Sequence, residues 1–360
     1  MEKTPILDVR NLKVYFDTVN GLLKAVDDVS FYVWPGETLG IAGESGCGKS
    51  VSCSSILRLV PSPPAVYAGG QILFDNQDIL KMNKHKLRAL RGGRIAMIFQ
   101  EPMSALNPVY TIKQQIVEAI RNHLPLSRHD AADLALDLLK QVRIPNPENV
   151  LKGYPFTLSG GMRQRVAIAM ALSCKPDLLI ADEPTTALDV TIQAQVLRTM
   201  KNLKEETGTA ILFITHDLGI LAETADRIMI MYAGKVCESG WTRDIIKNPL
   251  HPYTQGLINS RPTGQATENK RLKVIEGNVP SLMDKPSGCP FHPRCRHAMP
   301  QCSEAFPETK EVETDHYTAC WLYSKADNNT KHEDRSYGSL PGEEPEVWDT
   351  RPKSEGGDEQ

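Results

Sequence analysis

Two rhythms of hydrophobic spacing divide the chain. Leu7–Phe16 and Lys24–Val33 bring apolar residues to about every second position and predict strands, parted by a turn at Asn20-Gly21. Thr38–Ala42, Arg94–Phe99, Leu178–Ala181 and Thr209–Thr215 are short, nearly unbroken apolar runs, the pattern of strands covered on both faces. Helical spacing fills the intervals. It predicts helices after Ser50 as far as Val60, over the basic stretch Lys81–Arg94, over Thr111–Arg121 and His129–Val142, and over Arg163–Leu172 and Thr191–Glu206. Pro61-Ser62-Pro63-Pro64 breaks the first of these, and a short strand is expected at Gly70–Phe74. Strands alternating with helices make an α/β fold. Past Lys235, strand-like pieces give way to Pro249-Leu250-His251-Pro252-Tyr253-Thr254 and a short helix. Arg261–Lys270 then reads as linker, and the stretch from Tyr323 to Gln360 is nearly devoid of apolar residues and reads as a disordered tail.

Composition narrows the setting. A chain of 360 residues with 41% hydrophobic content can hold one large α/β domain and a smaller appendage. Its net charge of −3 gives no global reason to expect nucleic acid, and the basic stretch Lys81–Arg94 is most simply a solvated face. No apolar run approaches the ~18 residues of a membrane span, and Met1–Pro5 leads into a strand pattern without a leader-like apolar segment. A cytosolic protein is therefore expected, with its eight cysteines reduced or metal-bound.

The candidate chemistry sits where the buried runs end. Gly43-Glu44-Ser45-Gly46-Cys47-Gly48-Lys49-Ser50 follows the Thr38–Ala42 run and opens a helix, the context required of a phosphate-binding loop. Its glycines let successive N–H groups converge on an anion, Lys49 adds a point charge for the β- and γ-phosphates, and the Ser50 hydroxyl suits Mg²⁺. Gln100 closes the Arg94–Phe99 run. Asp182 and Glu183 close the next, in the positions of a Mg²⁺ ligand and of a base for an attacking water. His216 closes a third. Ser159-Gly160-Gly161 opens the helix over 163–172, so a second anion cradle lies on the same chain. Tyr15 or Phe16, ahead of the phosphate loop, could stack on an adenine ring or simply pack in the core.

Taken in this order, these residues resemble the nucleotide-binding subunit of an ATP-binding cassette transporter, over residues 6 to about 325. Walker A is Gly43–Ser50, the Q-loop holds Gln100, the signature is Leu158–Gln164, and Walker B is Leu178–Asp182 with Glu183 as the catalytic glutamate. The D-loop is Ala187-Leu188-Asp189 and the switch histidine is His216. The resemblance implies a P-loop NTPase fold of the cassette type, with a mixed sheet core, an antiparallel β subdomain, a helical subdomain over about 101–172, and a small Cys-rich C-terminal domain. It selects Phe16 as the adenine-stacking aromatic. It implies contacts to ATP from Phe16, Gly43, Ser45, Gly46, Cys47, Gly48, Lys49, Ser50, Gln100, Asp182, Ser159, Gly160, Gly161 and Asp189. It further implies Mg²⁺ on Ser50, Gln100 and Asp182, and catalytic roles for Glu183, His216 and Gln100. Two such subunits, identical or paralogous, would pair head to tail, with each ATP capped by the partner's signature, and would drive two separate transmembrane permeases from the cytoplasmic face of the cell membrane.

Near the C-terminus Cys289, Cys295, Cys302 and Cys320 follow one another at spacings x5, x6 and x17. From chemistry alone they suit zinc or an iron–sulfur cluster, with His292, His297 and His316 as possible zinc substitutes, or remain free thiols. His251-Pro252-Tyr253-Thr254, Gly277-Asn278-Val279-Pro280 and the Cys-x-Phe-x-x-Arg-Cys run resemble the C-terminal extension of oligopeptide and dipeptide importer ATPases, some of which hold a [4Fe–4S] cluster there. The division expected is 1–260 for the cassette, 261–325 for the cysteine region and 326–360 for the tail. The resemblance implies a peptide importer working with an extracytoplasmic peptide-binding protein, with a nickel or other small-solute importer as the alternative. A cassette ATPase of DNA repair or translation fits poorly with a single Walker A, no heptad array and an acidic balance. A regulatory metal-binding protein with a defunct ATPase conflicts with the intact Glu183 and His216.

Overall fold

A computed structural model describes residues 4–101, 105–185, 189–260 and 275–324. The D-loop residues Ala187 and Leu188, the linker stretch 261–270 and the tail 326–360 lie outside them. Five strands open the chain: β1 (Leu7–Thr18), β2 (Gly21–Val33), β3 (Thr38–Ala42), β4 (Ala65–Phe74) and β5 (Gln77–Asp78). Five more follow: β6 (Ile95–Ile98), β7 (Leu178–Asp182), β8 (Ala210–Ile214), β9 (Arg227–Tyr232) and β10 (Lys235–Trp241). The last two, β11 (Lys310–Glu313) and β12 (His316–Thr318), come from the cysteine region.

They form two sheets. The smaller is antiparallel, in the order β2-β1-β4-β5; the larger has eight strands, in the order β11-β12-β10-β9-β3-β8-β7-β6. From β9 to β6 the large sheet is parallel, and β10, β12 and β11 extend it antiparallel. The unbroken apolar runs are explained by this position. In β7, Leu178 and Ile180 enter one buried cluster while Leu179 and Ala181 enter the other, so alternate side chains serve opposite faces. One cluster lies under the antiparallel sheet, with Val9, Val14, Val26 and Phe31. The other takes the helices Ile112–His123, Arg128–Gln141 and Gly160–Leu172, and also Cys289, Phe291 and Cys302.

Local chemistry sets the helix starts. A capping box joins Thr111 and Gln114, Ser127 accepts from the Asp130 amide, and Asn83 accepts from the Lys86 amide. Two expectations need correction. The strand expected at Gly70–Phe74 begins at Ala65, because β1 offers Phe16 and Tyr15 as partners for Ala65 and Val66. The basic stretch over 81–94 is helical only at Lys84–Leu90, and its last arginines are not merely solvated. Arg91 donates to the carbonyls of Leu57 and Arg58, and Arg94 bridges Asp75 and Asp177.

Candidate active site

The phosphate loop is wedged into the fold by its glycines. Gly43, Gly46 and Gly48 have φ of +151°, +76° and +99°, values that L side chains rarely adopt. A Cβ on Gly43 would stand 2.2 Å from the Met231 carbonyl oxygen of β9, and one on Gly48 would stand 2.3 Å from that of Ala25 in β2. Nothing lies within 4 Å of a Cβ on Gly46, so the loop faces open space there. Ser45, Gly46 and Ser50 are exposed on that side, while the Cys47 side chain is buried beneath. Lys49, 5% exposed, donates to the carbonyls of Gly43 at 2.7 Å and Glu44 at 3.0 Å, which stretches the ammonium along the loop.

The strand ends bring the remaining groups to this loop. The Ser50 hydroxyl donates to Asp182 Oδ1 at 3.0 Å, so two hard oxygen donors converge, the donor set that suits Mg²⁺. Burial pushes the Asp182 carboxyl above its ordinary value, the Glu183 charge adds to this, and the Ser50 bond and Lys49 oppose it. A cation at this place would therefore favour the ionised acid. Glu183 stands in the left-handed region at φ 46°, a strained backbone that turns its side chain off the end of β7. Gln100 Nε2 donates to Glu183 Oε2 at 3.0 Å, and His216 Nδ1 lies 3.3 Å from Oε1. Three residues predicted from separate strand ends thus meet around one carboxylate.

Phe16 is half-buried against the core cluster under the antiparallel sheet. Its neighbour Tyr15 donates to Asp27 at 2.7 Å, and burial together with that carboxylate pushes the phenol up to about 12. The hydroxyl of Tyr15 is thus committed within the fold. At the second cradle Ser159 caps the helix Gly160–Leu172, and Ser159 and Gly160 are exposed, with no atom within 4 Å of a Cβ on Gly160. Arg163 is turned back to the Pro155 carbonyl at 2.8 Å. Asp189 accepts from the Ile192 amide at 2.9 Å and caps the helix Val190–Thr207.

Three residues that the sequence places in motifs without a contact to this site hold it in the structure. Buried Gln164 donates to the Pro184 carbonyl at 2.8 Å and ties the signature helix to the turn after Glu183. Tyr253 accepts the Glu44 amide at 2.8 Å. Arg294 forms a two-pronged ion pair with the Glu44 carboxylate at 2.7 and 3.1 Å. The last two come from distant sequence, and no local pattern announces them.

The four late cysteines do line one pocket, with His292 and His297 and the apolar walls Phe291, Met299, Trp321 and Leu322. His316 is elsewhere. It is fully buried against Glu238 at 2.8 Å between β12 and β10, which removes it as a substitute ligand for that pocket. Backbone amides of His297 and Met299 donate to the sulfurs of Cys295 and Cys302 at 3.4 and 3.5 Å. Among the described residues no three His, Cys, Asp or Glu side chains are drawn together as ligands of a single metal ion.

Comparison with known proteins agrees with this geometry. Residues 26–186 match the ABC transporter family model, and residues 237–302 match that of the oligopeptide/dipeptide transporter C-terminal region. The chain is 49% identical over 323 residues to the probable peptide ABC transporter ATP-binding protein y4tR of Sinorhizobium fredii, covering 90% of this chain and 96% of that one. It is 48% identical to the dipeptide transport ATP-binding protein DppD of Bacillus subtilis, covering 89% and 95%. Among solved structures, the dimeric post-hydrolysis ATP-binding cassette MJ0796 with ADP and Pi superposes with a TM-score of 0.60 at 27% identity, covering 66% of this chain and 99% of that one.

Proposed function

We propose how a chain that belongs to the ABC transporter ATPases, of the oligopeptide and dipeptide importer type, uses this site to drive uptake. The protein hydrolyses ATP and couples the reaction to peptide import through membrane permeases. The observation that carries the mechanism is the Glu183 carboxylate held between Gln100 and His216 beside the Ser50–Asp182 pair. The triphosphate lies along the loop amides of 45–50 with Lys49 against its outer phosphates, and the adenine stacks on Phe16. Ser50, Asp182 and Gln100 hold Mg²⁺, which neutralises phosphate charge when bound. Glu183 accepts a proton from the water that attacks the γ-phosphorus, as the bond to the ADP oxygen breaks. His216 and Gln100 orient that carboxylate.

Ser159, Gly160 and Gly161 act on the ATP of a second subunit, identical or paralogous, in a head-to-tail dimer. Support for this comes from the exposure of Ser159 and Gly160 on an otherwise well-packed helix, with Gly161 half-buried beside them. Asp189, exposed at the cap of the helix Val190–Thr207, contributes to the ATP site in this arrangement. Among the described residues no helix is long and apolar enough to cross a membrane; in this proposal the chain attaches to two separate permeases at the cytoplasmic face. A docking surface is supported by Tyr110, Tyr154 and Phe156, exposed on two loops that meet through the Ile112 amide and the Gly153 carbonyl. An extracytoplasmic peptide-binding protein completes the complex.

Glu183→Gln retains shape and loses the base. It should bind ATP as the wild type does, accumulate as a closed dimer on size exclusion, and turn over about 10²-fold more slowly. Wild-type turnover would refute the role.

In this proposal Cys289, Cys295, Cys302 and Cys320 are the residues that would hold a [4Fe–4S] cluster through their thiolates. It is supported by one pocket lined by all four and by the amide donors to two of the sulfurs. Protein purified without oxygen should be brown and contain about four irons and four sulfides per chain. Stoichiometric zinc without sulfide would replace the cluster by the alternative metal.

A further inference from the structure

The phosphate loop is not held by its own strand and helix alone. Its second residue, Glu44, has every polar group engaged. The amide donates to the Tyr253 hydroxyl at 2.8 Å, the carbonyl accepts from Lys49 at 3.0 Å, and both carboxylate oxygens receive the fork of Arg294 at 2.7 and 3.1 Å. Arg294 lies between Cys289 and Cys295, 250 positions away along the chain. It is anchored from its own side as well. Nε donates to the Glu276 carbonyl at 3.1 Å, and Nη1 donates to the Tyr232 hydroxyl at 3.2 Å. Phe291 packs edge-on against Tyr232 and tilted against Tyr253, with ring centroids 5.3 Å apart in both cases, so one aromatic wedge fixes the arginine's segment and the tyrosine that holds the Glu44 amide.

We propose that Arg294 is a positioning residue of the ATP site: it holds Glu44, and through the Glu44 carbonyl it sets where the Lys49 ammonium stands. The inference rests on the ATPase assignment and adds to it a physical link from the cysteine region to triphosphate binding. Two effects act in the same direction. A guanidinium fork matched to a carboxylate fixes orientation as well as distance, which a lysine cannot do. The Arg294 side chain is 6% exposed and that of Glu44 27%, so water screens the pair far less than an ordinary surface pair. Arg294 also neutralises a carboxylate that flanks the loop. Unpaired, that charge would repel the triphosphate.

The test uses the full-length chain, with ATP affinity measured by titration calorimetry and KM and kcat measured in the assembled transporter. Wild-type ATP binding is the control: its failure would count against the ATPase assignment itself, whereas a loss confined to the variants bears on Arg294. Arg294→Met should weaken ATP binding about tenfold and raise KM with little change in kcat, because the pair acts on binding before the reaction. Arg294→Lys should lose less. Glu44→Gln removes the repulsive charge together with the pair and should lose only about threefold. The double variant Arg294→Met/Glu44→Gln should bind like Glu44→Gln alone, recovering most of the single-variant loss, as coupled residues do. A structural prop would instead lower the melting temperature of every variant and leave ATP affinity alone. ATP affinity within twofold of wild type for a folded Arg294→Met, or losses that multiply in the double variant, would overturn the proposal. Should Arg294→Met not fold, Glu44→Gln with unchanged affinity and KM would overturn it equally.

Discussion

The two anion cradles of this chain are built on opposite plans. At Gly43–Ser50 the backbone is clamped from outside: the Met231 carbonyl, the Ala25 carbonyl, Tyr253 and Arg294 all press on or hold it, and the lysine is buried. At Ser159–Gly161 the helix start is exposed, and a Cβ on Gly160 would meet nothing. In the proposed reading the first cradle, finished within one polypeptide, binds phosphate alone, and the second, which offers amides and a hydroxyl outward, binds only when another surface brings the phosphate to it. A helix N-terminus favours anions in either place; what differs is whether the remaining walls belong to the same chain.

Substitutions at the glycines break this contrast most sharply. Gly48→Ala meets both a backbone oxygen at 2.3 Å and a φ of +99°, so the loop must shift bodily. ATP affinity should fall about 10³-fold and the melting temperature should drop, since overpacking against backbone and left-handed strain together cost several kcal/mol. Gly46→Ala has the strained φ without the clash, and should retain the fold with a far smaller loss of affinity. Calorimetry and thermal denaturation of the pair separate the two causes. Equal losses would show that strain, and not the wedge against β2, governs the loop.

How much of this was legible beforehand follows from where the information lies. The parallel core announced itself because strands covered on both faces need continuous apolar runs, and Leu178–Ala181 and Ala210–Ile214 are such runs. Gln100, Glu183 and His216 meet because each follows a buried strand, and parallel strands deliver their carboxyl ends to one edge; the resemblance, and not position alone, gives them catalytic roles. Strands β11 and β12 gave no signal. They span four and three residues; β12 is buried by pairing with β10, Thr318 opposite Glu238, β11 pairs with β12 alone, and nothing in their own spacing encodes those neighbours. The same reason hides Arg294. Its local context is a cysteine motif, and its partner Glu44 occupies a variable position of the phosphate-loop pattern. The buried pair His316–Glu238 misled in the opposite way: a histidine near four cysteines in sequence proved to be a sheet-packing residue in space.

The second cradle supplies the smaller and more discriminating effect. Gly161→Asp would place a carboxylate at the start of the helix Gly160–Leu172, where the macrodipole tolerates it, so the fold should survive. The isolated subunit should bind ATP as the wild type does, because Phe16, Lys49 and Ser50 lie with the other cradle. Turnover should nonetheless fall about 10²-fold, since the carboxylate meets the γ-phosphate of the partner's nucleotide only on closure, where low dielectric magnifies the repulsion. Gly160→Ala provides the neutral control: it adds a methyl group into open space and should leave stability within about 1 kcal/mol of wild type, with the helix start if anything firmer. Mixing a Gly161→Asp subunit with one carrying Lys49→Ala sharpens the comparison further. In such a mixed pair the intact phosphate loop of the first subunit faces the intact signature of the second, while both lesions fall in the other composite site, so one site is whole and hydrolysis should reappear although neither variant turns over appreciably alone. Absence of any recovery in that mixture would mean that both cradles act on one chain's own ATP, and the division between a finished and an unfinished site would fall.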